Sequence, residues 1–122
     1  MLCACINRLP ALGFECMSAF GRATEKTSIP LLNTHIDVMG RGADRTGPRV
    51  GRPHVELVNE VVTGLQERFD GRDEPIGLLT HHLAHDAVAW EFVETLLAET
   101  SHHPAVAWKP AAELLKDQIT TT

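Results

Sequence analysis

The sequence predicts an α/β protein built from βα units on mainly parallel strands. Three observations carry that expectation. Residues 76–79, Ile-Gly-Leu-Leu after Pro75, form a short apolar run of the kind that makes a buried strand. Helix-period segments flank it, at His54–Phe69 before and 86–99 after. Strand-like and helix-like stretches alternate along the chain with no internal repeat, a pattern that implies crossover connections. With 122 residues and 13.4 kDa, the chain reads as a single domain, 1–122, with one core.

Taken in order, residues 9–14 read as the end of a short helix, with Gly13 as its C-terminal stop. Residues 14–20 alternate weakly, as a strand would. Residues 31–39 mix apolar and polar positions at period two, which predicts a strand with His35 and Asp37 on one face. Residues 40–53 form a Gly/Arg-rich loop in which Arg41, Arg45, Arg49 and Arg52 outnumber Asp44. Its glycines lack phosphate-loop spacing, so a flexible connection is favoured over an anion contact. His54–Phe69 is the clearest helix, with Pro53 at its start and Val58, Val61, Val62, Leu65 and Phe69 expected on its core stripe. Residues 76–80 are the next strand. Asp86 is placed to cap the following helix, whose expected core face is Val88, Phe92, Val93, Leu96 and Leu97. Residues 105–108 are expected to be a last strand, and a terminal helix begins near Pro110.

Composition narrows the function classes. A net charge of -5 argues against nucleic acid or an anionic membrane surface as partner. No apolar run approaches membrane-spanning length, and the first residues lack the basic-then-apolar order of a signal peptide. Cys3, Cys5 and Cys16 are odd in number and lack the second pair that a structural zinc site needs. They read as reduced thiols, and the chain as cytoplasmic.

The chemical signal is concentrated where the strand at 76–80 ends. His81, His82, His85 and Asp86 fall within six residues at the strand-to-helix junction, and strand carboxyl ends are where α/β proteins build sites. His81 is the first residue able to leave the strand, and an imidazole exchanges protons near neutral pH. The packing alternative is a histidine hydrogen-bonded at a strand end. Asp37 is a carboxylate near the end of the preceding strand, suited to orienting an imidazole or an arginine. The helix at 54–69 is long enough to return the chain parallel, so His81 and Asp37 are expected at the same end of neighbouring parallel strands. His82, His85 and Asp86 invite a metal reading, against which stands a simple helix cap, with no His-Glu-x-x-His to fix the spacing.

Several segments together resemble the C-terminal part of bacterial polysaccharide deacetylase-like proteins: Leu12-Gly-Phe, Met17-Ser-Ala-Phe-Gly-Arg, Asn33-Thr-His-Ile-Asp, Pro75-Ile-Gly-Leu-Leu-Thr-His-His-Leu-Ala-His-Asp, Trp90 and Ala105-Val-Ala-Trp. The resemblance implies a partial (β/α) barrel and a family reaction that hydrolyses N-acetyl groups on sugars with a divalent metal such as zinc. It implies that His81 is the general acid toward the leaving amine, that Leu79 lines the acetate pocket and that Asp37 orients its catalytic partners. The family's paired aspartates and His-x-x-x-His metal ligands, which belong to the first half of its domain, have no counterpart here, since the His81-x-x-x-His85 spacing falls after the wrong strand to replace them. The chain itself is therefore expected to carry no metal ligands and no cofactor, and to be inactive alone, with carbohydrate as partner only where activity is restored. A partial barrel leaves strand edges and a helix stripe such as Val58, Val62 and Leu65 uncovered, so self-association or a partner chain is expected. Two alternatives stand beside this: a non-catalytic α/β interaction module, and a small metal-binding protein using the cluster from His81 to Asp86.

Overall fold

In a computed structural model, the described residues are 8–23, 29–40 and 47–120. Cys3, Cys5, Arg41, Asp44 and Arg45 lie outside them. The chain divides into two compact units, Met1–His35 with Lys109–Thr122, and Ile36–Trp108. It is a mixed α/β structure with a small parallel strand pair, and no barrel is formed among the described residues.

The first unit opens with a 3-10 turn, Pro10–Leu12. Gly13 ends it at φ 90 and donates its N–H to the Pro10 carbonyl, a left-handed stop that a side chain would strain. The stretch at 14–20 runs parallel to residues 31–34, bridging at Met17 with Leu31 and Phe20 with Thr34, and the Leu32 and Thr34 N–H groups donate to the Met17 and Ala19 carbonyls at 2.9 and 3.0 Å. Asn33, buried, holds the two together. Its Oδ1 accepts from the Ala19 N–H at 3.0 Å and its Nδ2 donates to the Gly21 carbonyl at 2.9 Å, so a buried amide is satisfied on both ends. The terminal helix Ala111–Thr120 (α3) starts one residue after Pro110.

The second unit holds the strands β1 (Ile36–Asp37), β2 (Met39–Gly40), β3 (Val50–Gly51) and β4 (Leu78–Leu79), and the helices α1 (His54–Phe69) and α2 (Ala87–Thr100). β1 pairs parallel with β4, Ile36 opposite Leu78 and Asp37 opposite Leu79, while β2 pairs antiparallel with β3. The expected long strand at 31–39 is thus broken into short pieces serving different partners. The expected loop at 40–53 ends in β3. The expected crossover is present, with α1 lying between β1 and β4 in the chain. The core is Ile36, Val38, Met39, Leu57, Ala89 and Phe92, with Val61, Ile76, Leu78, Val93 and Leu96 packed against it.

Both helix boundaries follow the sequence, and their inner faces follow it in part: Val61, Phe92, Val93 and Leu96 face the core as expected. α1 buries Leu57 and turns Val61 and Gly64 inward, where a Cβ on Gly64 would meet Ile76 Cδ1 at 3.1 Å. Val58, Val62, Leu65 and Phe69, expected in the core, are exposed. α2 buries Ala89 and Phe92, with Val93 and Leu96 beside them. Val88 and Leu97, also expected inside, are exposed. The strand expected at 105–108 is absent. The chain turns through 101–105, and Trp108 donates its Nε1–H to Thr100 Oγ1 at 2.8 Å, tying the segment back to the end of α2. Among the described residues, no helix is long and apolar enough to cross a membrane.

Candidate functional site

The parallel register sets the site. Because Asp37 lies opposite Leu79, the chain leaves β4 through Thr80 and brings His81 back over the end of β1. His81 Nε2 is 3.0 Å from Asp37 Oδ1, both side chains being partly exposed. The two residues singled out from the sequence therefore meet at the carboxyl end of neighbouring parallel strands. Leu79 is half-buried at the Asp37 level of the ladder. His35 belongs to the other unit.

Asp37 is held by more than the histidine. Its Oδ1 also accepts from the Met39 N–H at 3.0 Å, and Arg49 Nη1 lies 3.6 Å from its Oδ2. Arg52 donates through Nη1 to the Asp37 carbonyl at 2.9 Å. Arg49 Nη1 also sits 3.4 Å from His81 Nε2. An arginine has no acceptor, and a nitrogen that donates to Asp37 has no lone pair for Arg49. The shorter contact decides the assignment: Nε2 carries the proton and donates to Asp37, and Arg49 is a second cation converging on the same carboxylate. That tautomer leaves His81 Nδ1 as the nitrogen with a lone pair.

Arg52 reaches the site through a fork missed at the level of sequence. Its Nη2 donates to Glu56 Oε1 and its Nη1 lies 2.7 Å from Glu60 Oε2. Burial works against the guanidinium charge, but the hydrogen bonds and charges of Glu56 and Glu60 outweigh it and hold the proton more firmly than usual. The available signal was the spacing: Arg52 precedes Glu56 by four residues and Glu60 by eight, one and two helical turns.

The rest of the histidine cluster is committed to local structure. The His81 N–H donates to His85 Nε2 at 2.9 Å, and the His85 ring packs edge-on against Trp90 with centroids 4.7 Å apart. Asp86 caps α2, accepting from Ala89 N–H at 2.9 Å on Oδ1 and from Gly51 N–H at 2.8 Å on Oδ2. Those two N–H groups, Gly51 first, hold its carboxyl below the usual carboxylate range. His82 is exposed. With the His85 lone pair and both Asp86 oxygens engaged by backbone N–H groups, the cluster from His81 to Asp86 does not assemble as a metal site. Among the described residues, no group of three or more His, Cys, Asp or Glu is placed to hold an ion.

Comparison with models of known protein families, with curated proteins and with solved structures gives no match.

Proposed function

We propose that this chain is the acid-bearing portion of a polysaccharide deacetylase-like fold, a partial (β/α) barrel that does not hydrolyse its substrate alone. The observation that carries this is the His81–Asp37 pair, 3.0 Å apart across two parallel strands. In this reading Asp37 fixes the imidazole tautomer and stabilises its charged form, as a carboxylate behind a catalytic histidine does. His81, having first taken up a proton from solvent at Nδ1, then gives it to the leaving amine as the C–N bond breaks. Leu79 lines the acetyl-binding side. Among the described residues nothing is placed to activate the attacking water, and they do not fit the metal that the resemblance implies, so no step is routed through one.

The test is acetate release from N-acetylglucosamine oligomers, with and without added zinc or cobalt, combined with amide-resolved NMR titration by the same oligomers. The expected result is no release above a His81→Ala control, with chemical-shift changes confined to residues near 37 and 78–82. Metal-dependent release by the chain alone refutes the proposed incompleteness, and a silent titration refutes carbohydrate as the ligand.

The competing reading is a non-catalytic α/β interaction module. It is favoured by one observation, the row of apolar side chains that α1 leaves in solvent.

A further inference from the structure

The parallel ladder between β1 and β4 stops one bond short at the site. The Ile36 N–H donates to the Gly77 carbonyl and the Val38 N–H to the Leu79 carbonyl, both at 3.2 Å. With Ile36 opposite Leu78, the next bond of that evenly spaced series would run from the His81 N–H to the Val38 carbonyl. That carbonyl is already used by the Arg52 N–H at 3.0 Å. A partly buried amide at a strand end still needs an acceptor. His81 finds one four residues on, where its N–H donates to His85 Nε2 at 2.9 Å. The Ala84 N–H, donating to the His81 carbonyl at 2.7 Å, closes the same turn.

We infer that His85 is a positioning residue for His81: its unprotonated Nε2 replaces the missing ladder carbonyl and fixes the backbone from which the His81 ring reaches Asp37. An imidazole nitrogen accepts only while it carries no proton, so the proton of neutral His85 is on Nδ1. That is the opposite tautomer from His81, whose Nε2 donates to Asp37. Nδ1 of His85 is buried and has no hydrogen-bond acceptor among the described residues, so the His81 amide, rather than a partner across the ring, selects the tautomer. Trp90 of α2 packs edge-on against the ring with centroids 4.7 Å apart and holds its orientation. The two histidines respond to acid in opposite senses. A second proton on His81 goes to Nδ1 and leaves the bond to Asp37 in place. A second proton on His85 goes to Nε2 and sets a donor against the His81 N–H. The charged and titratable groups around the turn are Asp86, next in the chain, the exposed His82, Asp37 of β1 and Arg49 ahead of β3, the last two reaching it through the His81 ring. Asp86 attracts a charged His85, but its two oxygens are engaged by the Gly51 and Ala89 N–H groups. Proton donation by His81 thus requires one charged and one neutral imidazole four residues apart. This last consequence rests on the acid role proposed for His81; the hold on its backbone does not.

The test is nuclear magnetic resonance on the full chain. Ring-nitrogen shifts at about pH 8 are expected to show His85 as the Nδ1–H tautomer and His81 as the Nε2–H tautomer. Amide-exchange protection at His81, referenced to Val61 in α1, is expected to fall roughly tenfold between about pH 8 and about pH 5, the scale of one lost hydrogen bond across the ordinary imidazole range. His85→Gln places an amide oxygen where Nε2 stood and does not titrate, so it is expected to keep the protection at both pH values. His85→Ala is expected to lose roughly tenfold at both. An Nε2–H tautomer at His85 overturns the proposal. So does protection that survives His85→Ala, wild-type protection that is indifferent to pH, or an acid loss that persists in His85→Gln. No readout depends on acetate release, so failure here leaves the deacetylase reading standing, and a silent titration with N-acetylglucosamine oligomers leaves the positioning role standing.

Discussion

The two helices of the Ile36–Trp108 unit begin in opposite ways. α2 is started by its own cap: Asp86, in extended conformation, accepts the Ala89 N–H and so satisfies one of the free donors of the first turn. α1 has no side-chain cap. Pro53 precedes it, and its first turns are gripped from upstream by the Arg52 fork on Glu56 and Glu60. Yet both devices reach back to strands. Asp86 takes the Gly51 N–H of β3, and Arg52 takes the Asp37 carbonyl of β1. The consecutive residues Gly51 and Arg52 therefore tie one helix each to a strand, α2 to β3 and α1 to β1. The difference teaches that one start is anchored by close backbone approach and the other by long, solvent-screened charges, and the two should fail differently.

The largest effect is expected where the approach is closest. A Cβ on Gly51 would stand 2.5 Å from Asp86 Oδ1 and 2.7 Å from the Ala89 nitrogen, so Gly51→Ala must push the start of α2 away from β3. A loss of about 2–3 kcal/mol is expected from denaturant unfolding. A change within about 0.5 kcal/mol, the range of an unremarkable surface substitution, would mean that the contact does not constrain α2.

Asp86→Asn should do less at neutral pH and reveal more as pH falls. The Asp86 carboxyl is depressed in the folded state, so its contribution is complete above the unfolded value, near pH 4, and is lost as pH drops through the lower folded value. Wild-type melting temperatures are expected to decline more steeply than those of the variant below about pH 4. Parallel acid profiles would remove the cap as a source of acid sensitivity.

Arg52→Met is expected to be mildest, about 1 kcal/mol, because Glu56 and Glu60 are substantially exposed and their pairing is screened. Its sharper signature is local: the Asp37 carbonyl loses a donor, and the His81 ring resonances should shift. Unchanged His81 resonances would separate the α1 anchor from the site.

Much of this arrangement was legible in the chain. Pro53 and the apolar period placed α1, Asp86 placed the start of α2, and the crossover length brought Asp37 and His81 to one end of parallel strands. The helix faces were legible only in part: Phe92, Val93 and Leu96 face inward as expected, but in α1 the buried Leu57 and half-buried Val61 sit beside the equally apolar Val58 and Val62. Periodicity registers both stripes and does not say which one meets the core. The run at 105–108 has strand-like composition, but with Trp108 bonded back to Thr100 it has no ladder to join. β3 was hidden in Gly/Arg-rich sequence because its role depends on what Gly51 lacks, a side chain, and composition alone reads that as looseness.

Val38 lies between the two strand pairs. Its N–H donates to the Leu79 carbonyl of β4 at 3.2 Å, its carbonyl accepts from the Arg52 N–H beside β3 at 3.0 Å, and its side chain is fully buried. One residue is thus a rivet through two short ladders, neither of which has the length to persist alone. Opening either ladder loosens the shared residue and with it the other, so the two should exchange their amide protons in a single opening event. Solvent would then gain access to Asp37 and to the turn before α1 together, which makes the Val38 amide a natural gauge of whether the site is assembled at all.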